Sequence, residues 1–283
     1  MSPTDTEIGK TRYIVPGLKQ GIEVLRLFNS PQPVWTAPQI AAHFTWPRAT
    51  VYRLLLTLES LQLIERSGSH AFKLGAGVLS LGFAYVNELD LVEVTRHSLE
   101  ALRDEIQCSV HLAILDQGDV LYVARYPGPG VITANIKIGA RLPAYSLGLG
   151  RLLLLDKTVP ELRNLYSNKT FKRFTEETPA NVNALAAMIA KDRQRGFVIS
   201  RSFFAPGILA ISAPIRDACD KIIAALSVTN LDTAIAPGRR EDRIRDAVVR
   251  TAQEISQRYR SGRPVTAGAA HVGAAARSLG LRR

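Results

Sequence analysis

Residues 36–74 read TAPQIAAHFTWPRATVYRLLLTLESLQLIERSGSHAFKL, and this stretch decides the fold of the N-terminal third of the chain. Thr36, Pro38 and Gln39 form a capping-box pattern. The Thr hydroxyl can accept the N–H three positions on, the Gln can reach back, and the Pro suits a first helical turn. A short helix through Ile40 to Phe44 follows. After Thr45 and Trp46, Pro47 opens a longer helix whose Val51, Leu54, Leu55 and Leu58 recur on one side. Residues 61–66 and 70–74 then alternate Leu, Ile, Phe and Leu around Ser67-Gly68-Ser69, the pattern of a β-hairpin. Upstream, Leu18, Ile22, Leu25 and Phe28 mark a first amphipathic helix, which Asn29-Ser-Pro-Gln-Pro33 stops. Helix, short helix, tight turn, helix and hairpin make a winged helix-turn-helix.

The helix opened by Pro47 carries the chemistry. If its leucine side faces inward, a step of about 100° per residue turns Ala49, Arg53, Leu56 and Thr57 outward, with Thr50 and Tyr52 on the flanks and Arg48 in the first turn. A major groove accepts such a face: Ala49 allows close approach, Thr50 and Tyr52 can reach phosphate, and Arg48 and Arg53 can pair with guanine or phosphate. Arg66 and Lys73, on the two arms of the hairpin, are placed as phosphate contacts of the wing. The same amphipathic helix could instead serve a protein contact; the capped helix before it and the wing after it favour double-stranded DNA.

At 283 residues the chain has length for about two domains, and 46% apolar and 22% charged residues is ordinary globular composition. No apolar run is long enough to span a membrane, and the first thirty residues lack the order of a signal peptide, so a cytoplasmic protein is expected. Cys108 and Cys219 stand alone, which leaves no disulfide framework or cysteine zinc site. Lys and Arg exceed Asp and Glu by 36 to 25, and residues 261–283 add four Arg without an acid. The excess permits nucleic-acid binding without requiring it.

Residues 1–12 read as a flexible arm, 13–75 as the DNA-binding domain and 76–89 (AGVLSLGFAYVNEL) as an apolar helix. That helix is either part of the second domain's core or an exposed linker that pairs with its copy through Val78, Leu79, Phe83 and Val86; its position between two complete units favours the linker. From residue 90 to 260, helices at 91–106, 148–156, 160–166, 181–195 and 240–260 alternate with strands at 110–115, 120–125, 197–202, 208–216 and 221–229. This is an α+β domain on an antiparallel sheet, able to enclose a small ligand. The Ala/Gly-rich residues 261–283 read as a disordered basic tail.

Catalytic constellations are hard to find in the sequence. The five His show no metal spacing, there is no GxSxG or phosphate loop, and Leu147-Gly-Leu-Gly150 lacks the third glycine of a dinucleotide fingerprint. No enzyme activity, metal or cofactor is expected, although dispersed residues could still make a metabolite-binding enzyme or sensor whose winged helix mediates protein contacts.

The stretch 18–89, with Pro47-Arg-Ala-Thr-Val-Tyr-Arg-Leu-Leu55, Lys73-Leu-Gly75 and Leu79-Ser-Leu-Gly82, resembles the DNA-binding half of IclR-family transcriptional regulators. Gly139-Ala-Arg-Leu-Pro143, Gly148-Leu-Gly-Arg151, Arg195-Gly-Phe197, Ala213-Pro-Ile215 and Ala224-Ala-Leu-Ser-Val228 follow the order of that family's effector domain. The resemblance implies a winged helix-turn-helix, a helical linker and a GAF-like effector-binding domain. It also implies a homodimer or dimer of dimers on promoter DNA, repressing or activating a catabolic operon under control of a small organic acid. Carried over by motif, the effector would meet Gly148 and Leu149 at a helix start, Ser200, Ile208, Ala210, Ser227 and Thr229. The helix N–H groups and hydroxyls would hold its carboxylate. This chain departs from the family where Ser200-Arg-Ser-Phe-Phe204 replaces a stretch often acidic, and where Ala210 replaces Cys or Ser. Both changes suit an apolar or aromatic body better than the smallest keto acids, unless Phe203 and Phe204 face the core or a dimer contact. His111 and Arg125 lie on predicted strands. A cation facing the cavity there could pair with a carboxylate, or the two could be a satisfied His and a surface Arg without ligand.

Overall fold

The computed structural model describes residues 13–29, 32–88, 90–129, 136–202, 206–235 and 237–260. The expected N-terminal arm and basic tail, Phe203 and Phe204, and the side chains of Phe83 and Val86 lie outside the described residues. Contacts divide the chain into two units, Met1–Glu88 and Leu89–Arg283.

The first unit is the winged helix-turn-helix read from the sequence. Helices α1 (Pro16–Leu27), α2 (Ala37–Phe44) and α3 (Arg48–Ser60) pack around Val24, Phe28, Ile40, Val51, Leu55 and Leu58. The capping box of α2 is formed: the Thr36 N–H donates to Gln39 Oε1 at 2.8 Å, and the Gln39 N–H donates to Thr36 Oγ1 at 3.4 Å. Thr45 ends α2 in the left-handed region at φ 58°, which turns the chain sharply enough for α3 to start three residues later.

Strands β2 (Ile64–Ser67) and β3 (Ala71–Leu74) make the wing, and the two residues of β1 (Trp35–Thr36) pair with β3 to complete a three-stranded sheet in the order β1-β3-β2. The first wing strand begins later than the alternating pattern implied, because residues 61–63 close α3: the Leu63 N–H donates to Leu58 O at 2.9 Å and Gln62 takes φ 58°. Gly75 then passes so close to this closure that a Cβ on it would lie 2.4 Å from Gln62 O, so only glycine fits. The chain leaves the wing into α4 (Gly77–Glu88).

The second unit is built on a six-stranded antiparallel sheet. Its strands are β4 (Ser109–Asp116), β5 (Asp119–Tyr126), β6 (Arg141–Pro143), β7 (Val198–Arg201), β8 (Ile208–Arg216) and β9 (Ile222–Leu231), ordered β6-β5-β4-β9-β8-β7. Helices α5 (Asp90–Ile106) and α9 (Arg239–Arg260) cover one face, burying Leu99, Leu102, Leu112, Ile211, Leu226 and Val248. The other face carries α6 (Gly148–Leu153), α7 (Val159–Leu165) and α8 (Val182–Arg195) over Ala113, Val120, Tyr122 and Ala225. The helix expected over 148–156 ends at Leu153, short because it is wedged: every residue of α6 is buried, and a Cβ on Gly150 would lie 2.1 Å from Ala144 O.

Candidate nucleic-acid interface and effector site

The inward side of α3 is Val51, Leu55 and Leu58, all buried; Leu54 is half-buried at the edge of that stripe. The opposite side presents Arg48, Ala49 and Arg53 to solvent, with Tyr52 51% and Leu56 41% exposed and Thr50 half-buried. Among the described residues no ion pair holds Arg48 or Arg53, so two cations and a small residue stand uncommitted on one helical face.

The wing differs. Arg66 forms a two-point pair with Glu59 of α3, Nε to Oε1 at 2.8 Å and Nη2 to Oε2 at 3.2 Å, and its guanidinium lies 5.2 Å from the centre of the Phe72 ring. The carboxylate raises the Arg66 pKa above its ordinary value. Lys73 faces Glu65 across the hairpin, Nζ to Oε1 at 2.8 Å. Both wing cations therefore have acidic partners, which the sequence reading missed. The Glu65 pair follows from hairpin register, whereas the Glu59 pair depends on how α3 meets β2.

On the second unit, the predicted effector residues of the strands share one sheet face. Ser200 of β7 is in register with Ala210 of β8, and Ala210 with Thr229 of β9. Ile208 stands two residues from Ala210 and Ser227 two from Thr229, so strand alternation places them on the same side. Gly148 packs directly on Ser200: a Cβ there would lie 2.7 Å from Ser200 Oγ. Leu149 is buried in the core that α6 makes with the sheet. The helix start thus rests against the serine instead of standing off from it, and with six residues α6 provides little dipole for an anion.

His111 of β4 joins this face, fully buried, its Nε2 3.1 Å from Thr229 Oγ1. Burial, reinforced by the charge of Arg125, pushes the imidazole pKa down to about 4. Beside it, Ser212 Oγ and Ser227 Oγ are 2.9 Å apart. A cleft of about 320 Å³ lies elsewhere, lined by residues including Leu155, Arg193, Arg216, Ser256 and Arg260, and none of the predicted effector residues belongs to it. Among the described residues no group of three or more His, Cys, Asp or Glu is placed to hold a metal ion, and no helix is long and apolar enough to cross a membrane.

Comparison with known proteins gives a consistent pattern. The IclR helix-turn-helix domain model matches residues 17–68, and the bacterial transcriptional regulator IclR C-terminal model matches residues 83–257. The Pca regulon regulatory protein of Pseudomonas putida is 30% identical over 213 residues, covering 75% of this chain and 73% of that protein. The regulator XynR of Escherichia coli K12 is 24% identical over 223 residues, covering 78% and 88%. Among solved structures, a transcriptional regulator from Rhodococcus sp. RHA1 superposes with TM-score 0.76 at 31% identity, over 88% of this chain and 99% of that one. An IclR homologue from Microbacterium hydrocarbonoxydans, crystallised with 4-hydroxybenzoate, superposes with TM-score 0.75 at 22% identity, over 87% and 99%, a likeness of fold.

Proposed function

This chain belongs to the IclR family of bacterial transcriptional regulators, and from that premise we propose that it binds promoter DNA through α3 and releases or retains it in response to a small carboxylate. The observation that carries the DNA-binding reading is the outward face of α3, where Arg48, Ala49, Thr50, Tyr52 and Arg53 stand opposite the buried Val51, Leu55 and Leu58. Arg53 reads a base edge or a phosphate, Arg48 holds the backbone at the helix start, and Ala49 lets the helix approach. Arg66 and Lys73 add wing contacts to phosphate once Glu59 and Glu65 release them. Titration of promoter DNA at two salt concentrations tests this. Neutralising several phosphates makes affinity fall steeply with salt, and salt-independent binding would point to a protein contact instead.

The effector domain takes a carboxylic acid with an apolar or aromatic body against Leu149, Ile208 and Ala210, oriented by Ser200, Ser227 and Thr229. Support comes from the clustering of these residues on one sheet face and from the relative bound to 4-hydroxybenzoate. The protein acts in the cytoplasm as a homodimer or dimer of dimers, pairing through α4, and controls a catabolic operon; the Pca relative is named as the regulator of a regulon. A thermal-shift screen of the full chain against glyoxylate, pyruvate and substituted benzoates tests the effector class. Response to the two- and three-carbon acids alone would remove the aromatic body.

A further inference from the structure

One row of the sheet is polar from strand to strand. Arg125 of β5 is in register with His111 of β4, His111 with Ser227 of β9, and Ser227 with Ser212 of β8. His111, Ser212 and Ser227 are buried, while the opposite face of the same strands is lined by Val110, Leu112, Ile211, Ala213, Leu226 and Val228. Burying hydroxyl and imidazole groups is costly unless each finds a partner. Most do: Ser212 and Ser227 bond to each other, and His111 Nε2 bonds to Thr229. His111 Nδ1 is the exception, buried and without a hydrogen-bond partner among the described residues.

An imidazole nitrogen left in that state is an open acceptor or donor depending on where the ring carries its proton, and the Thr229 hydroxyl can bond to either tautomer. The neighbouring charge decides which. Arg125 is close enough to act on the imidazole electrostatically, so the field at Nδ1 favours an anion. An anion there holds the proton on Nδ1 and turns Nε2 into the acceptor of the Thr229 hydroxyl. At the other end of the face, Ser200 lies three strand spacings across from His111 and two residues along the strands, more than about 14 Å between backbones. Side chains on one sheet face stand roughly parallel, so an anion at His111 occupies a position separate from Ser200 and Gly148.

We propose that the effector's carboxylate sits between His111 Nδ1 and the Arg125 guanidinium. This rests on the reading of the domain as a carboxylate sensor and adds the position of the anion within it. It places the anion on β4 and β5, away from the start of α6. His111 and Arg125 become specificity residues of the site.

The test uses the full-length protein with benzoate, 4-hydroxybenzoate and phenol as probes, read by calorimetry and by release of promoter DNA. Wild type should bind both acids at least tenfold tighter than phenol. Arg125→Gln and His111→Gln should each weaken both acids tenfold or more, leave phenol unchanged and keep ligand-free DNA affinity within twofold; Arg125→Lys should recover part of the loss. Acid binding undiminished in Arg125→Gln and His111→Gln would overturn the placement while leaving the carboxylate reading intact. A wild type that binds promoter DNA but neither acid would overturn both. Should His111→Gln fail to fold, Arg125→Gln, at a half-buried position, decides the matter alone.

Discussion

The Arg151 guanidinium on α6 donates through Nε to Asp192 Oδ2 on α8 at 2.6 Å, with the side chains 4% and 8% exposed. This pair moors the short helix that lies on the effector face to the longer helix outside it. Removing one member leaves the other charged and buried, which costs far more than the intact pair contributes relative to apolar residues. Asp192→Ala should therefore destabilise the second unit by about 3–5 kcal/mol, read as a shift in the denaturant midpoint of the full chain. A loss below 1 kcal/mol would mean that water reaches Arg151.

Arg53→Ala should weaken promoter binding by about 1–3 kcal/mol, the usual worth of one good base or phosphate contact. The side chain lies outside the Val51, Leu55 and Leu58 core, so thermal stability should not change. Normal promoter affinity in a folded variant would mean that another face of α3 meets the DNA.

Glu59→Gln probes the wing from the acidic side. Glu59 both occupies Arg66 and places a negative charge near the surface proposed for DNA. Neutralising it frees the guanidinium and removes a repulsion, so promoter affinity at low salt should rise several-fold and the salt dependence should steepen by about one phosphate's worth. Unchanged affinity and slope would remove Arg66 from the contact set.

The two halves of the proposed function were not equally legible in the sequence. The exposed face of α3 and the capping box at Thr36 were readable because both depend on spacings of three and four residues within one helix. So was the winged helix-turn-helix, whose elements follow one another along the chain. The pairing of Trp35 and Thr36 with Ala71 and Phe72 was not, because two residues are too few to carry an alternating pattern. On the effector side, alternation alone places Ser227 and Thr229 on one face of β9. What it cannot tell is that β9 lies between β4 and β8, and this strand order brings His111 beside Ser227 and completes the polar row. The partner of Arg151 was hidden for the same reason, since a buried ion pair between two helices leaves no local spacing to read.

Leu79 and Leu81 on α4 are 60% and 64% exposed, and two positions apart they point about 200° away from each other around the helix. A helix apolar on more than one exposed side is a poor solute alone and a good surface for a second copy. Leu79→Glu/Leu81→Glu should shift the sedimenting mass toward the monomer and weaken promoter binding at least tenfold, because two recognition helices would no longer be held on one operator. Unchanged mass and unchanged affinity together would take α4 out of the interface.

His111 gives the domain a pH dependence of defined sign. In the unfolded chain its imidazole titrates near 6.5, and in the folded protein burial and the charge of Arg125 lower that to about 4. Between those values the unfolded state binds a proton that the folded state refuses, so stability is full above pH 6.5 and falls as the pH drops toward 4. The loss amounts to roughly 3 kcal/mol over the whole interval. Carboxylates contribute in its lower part, so the informative window is pH 6.5 to 5. Denaturant midpoints measured across that window should decline with falling pH in wild type and stay level in His111→Gln. A decline of equal slope in the variant would assign the effect to another group, and a level wild type would mean that His111 accepts a proton in the folded protein near its ordinary pKa.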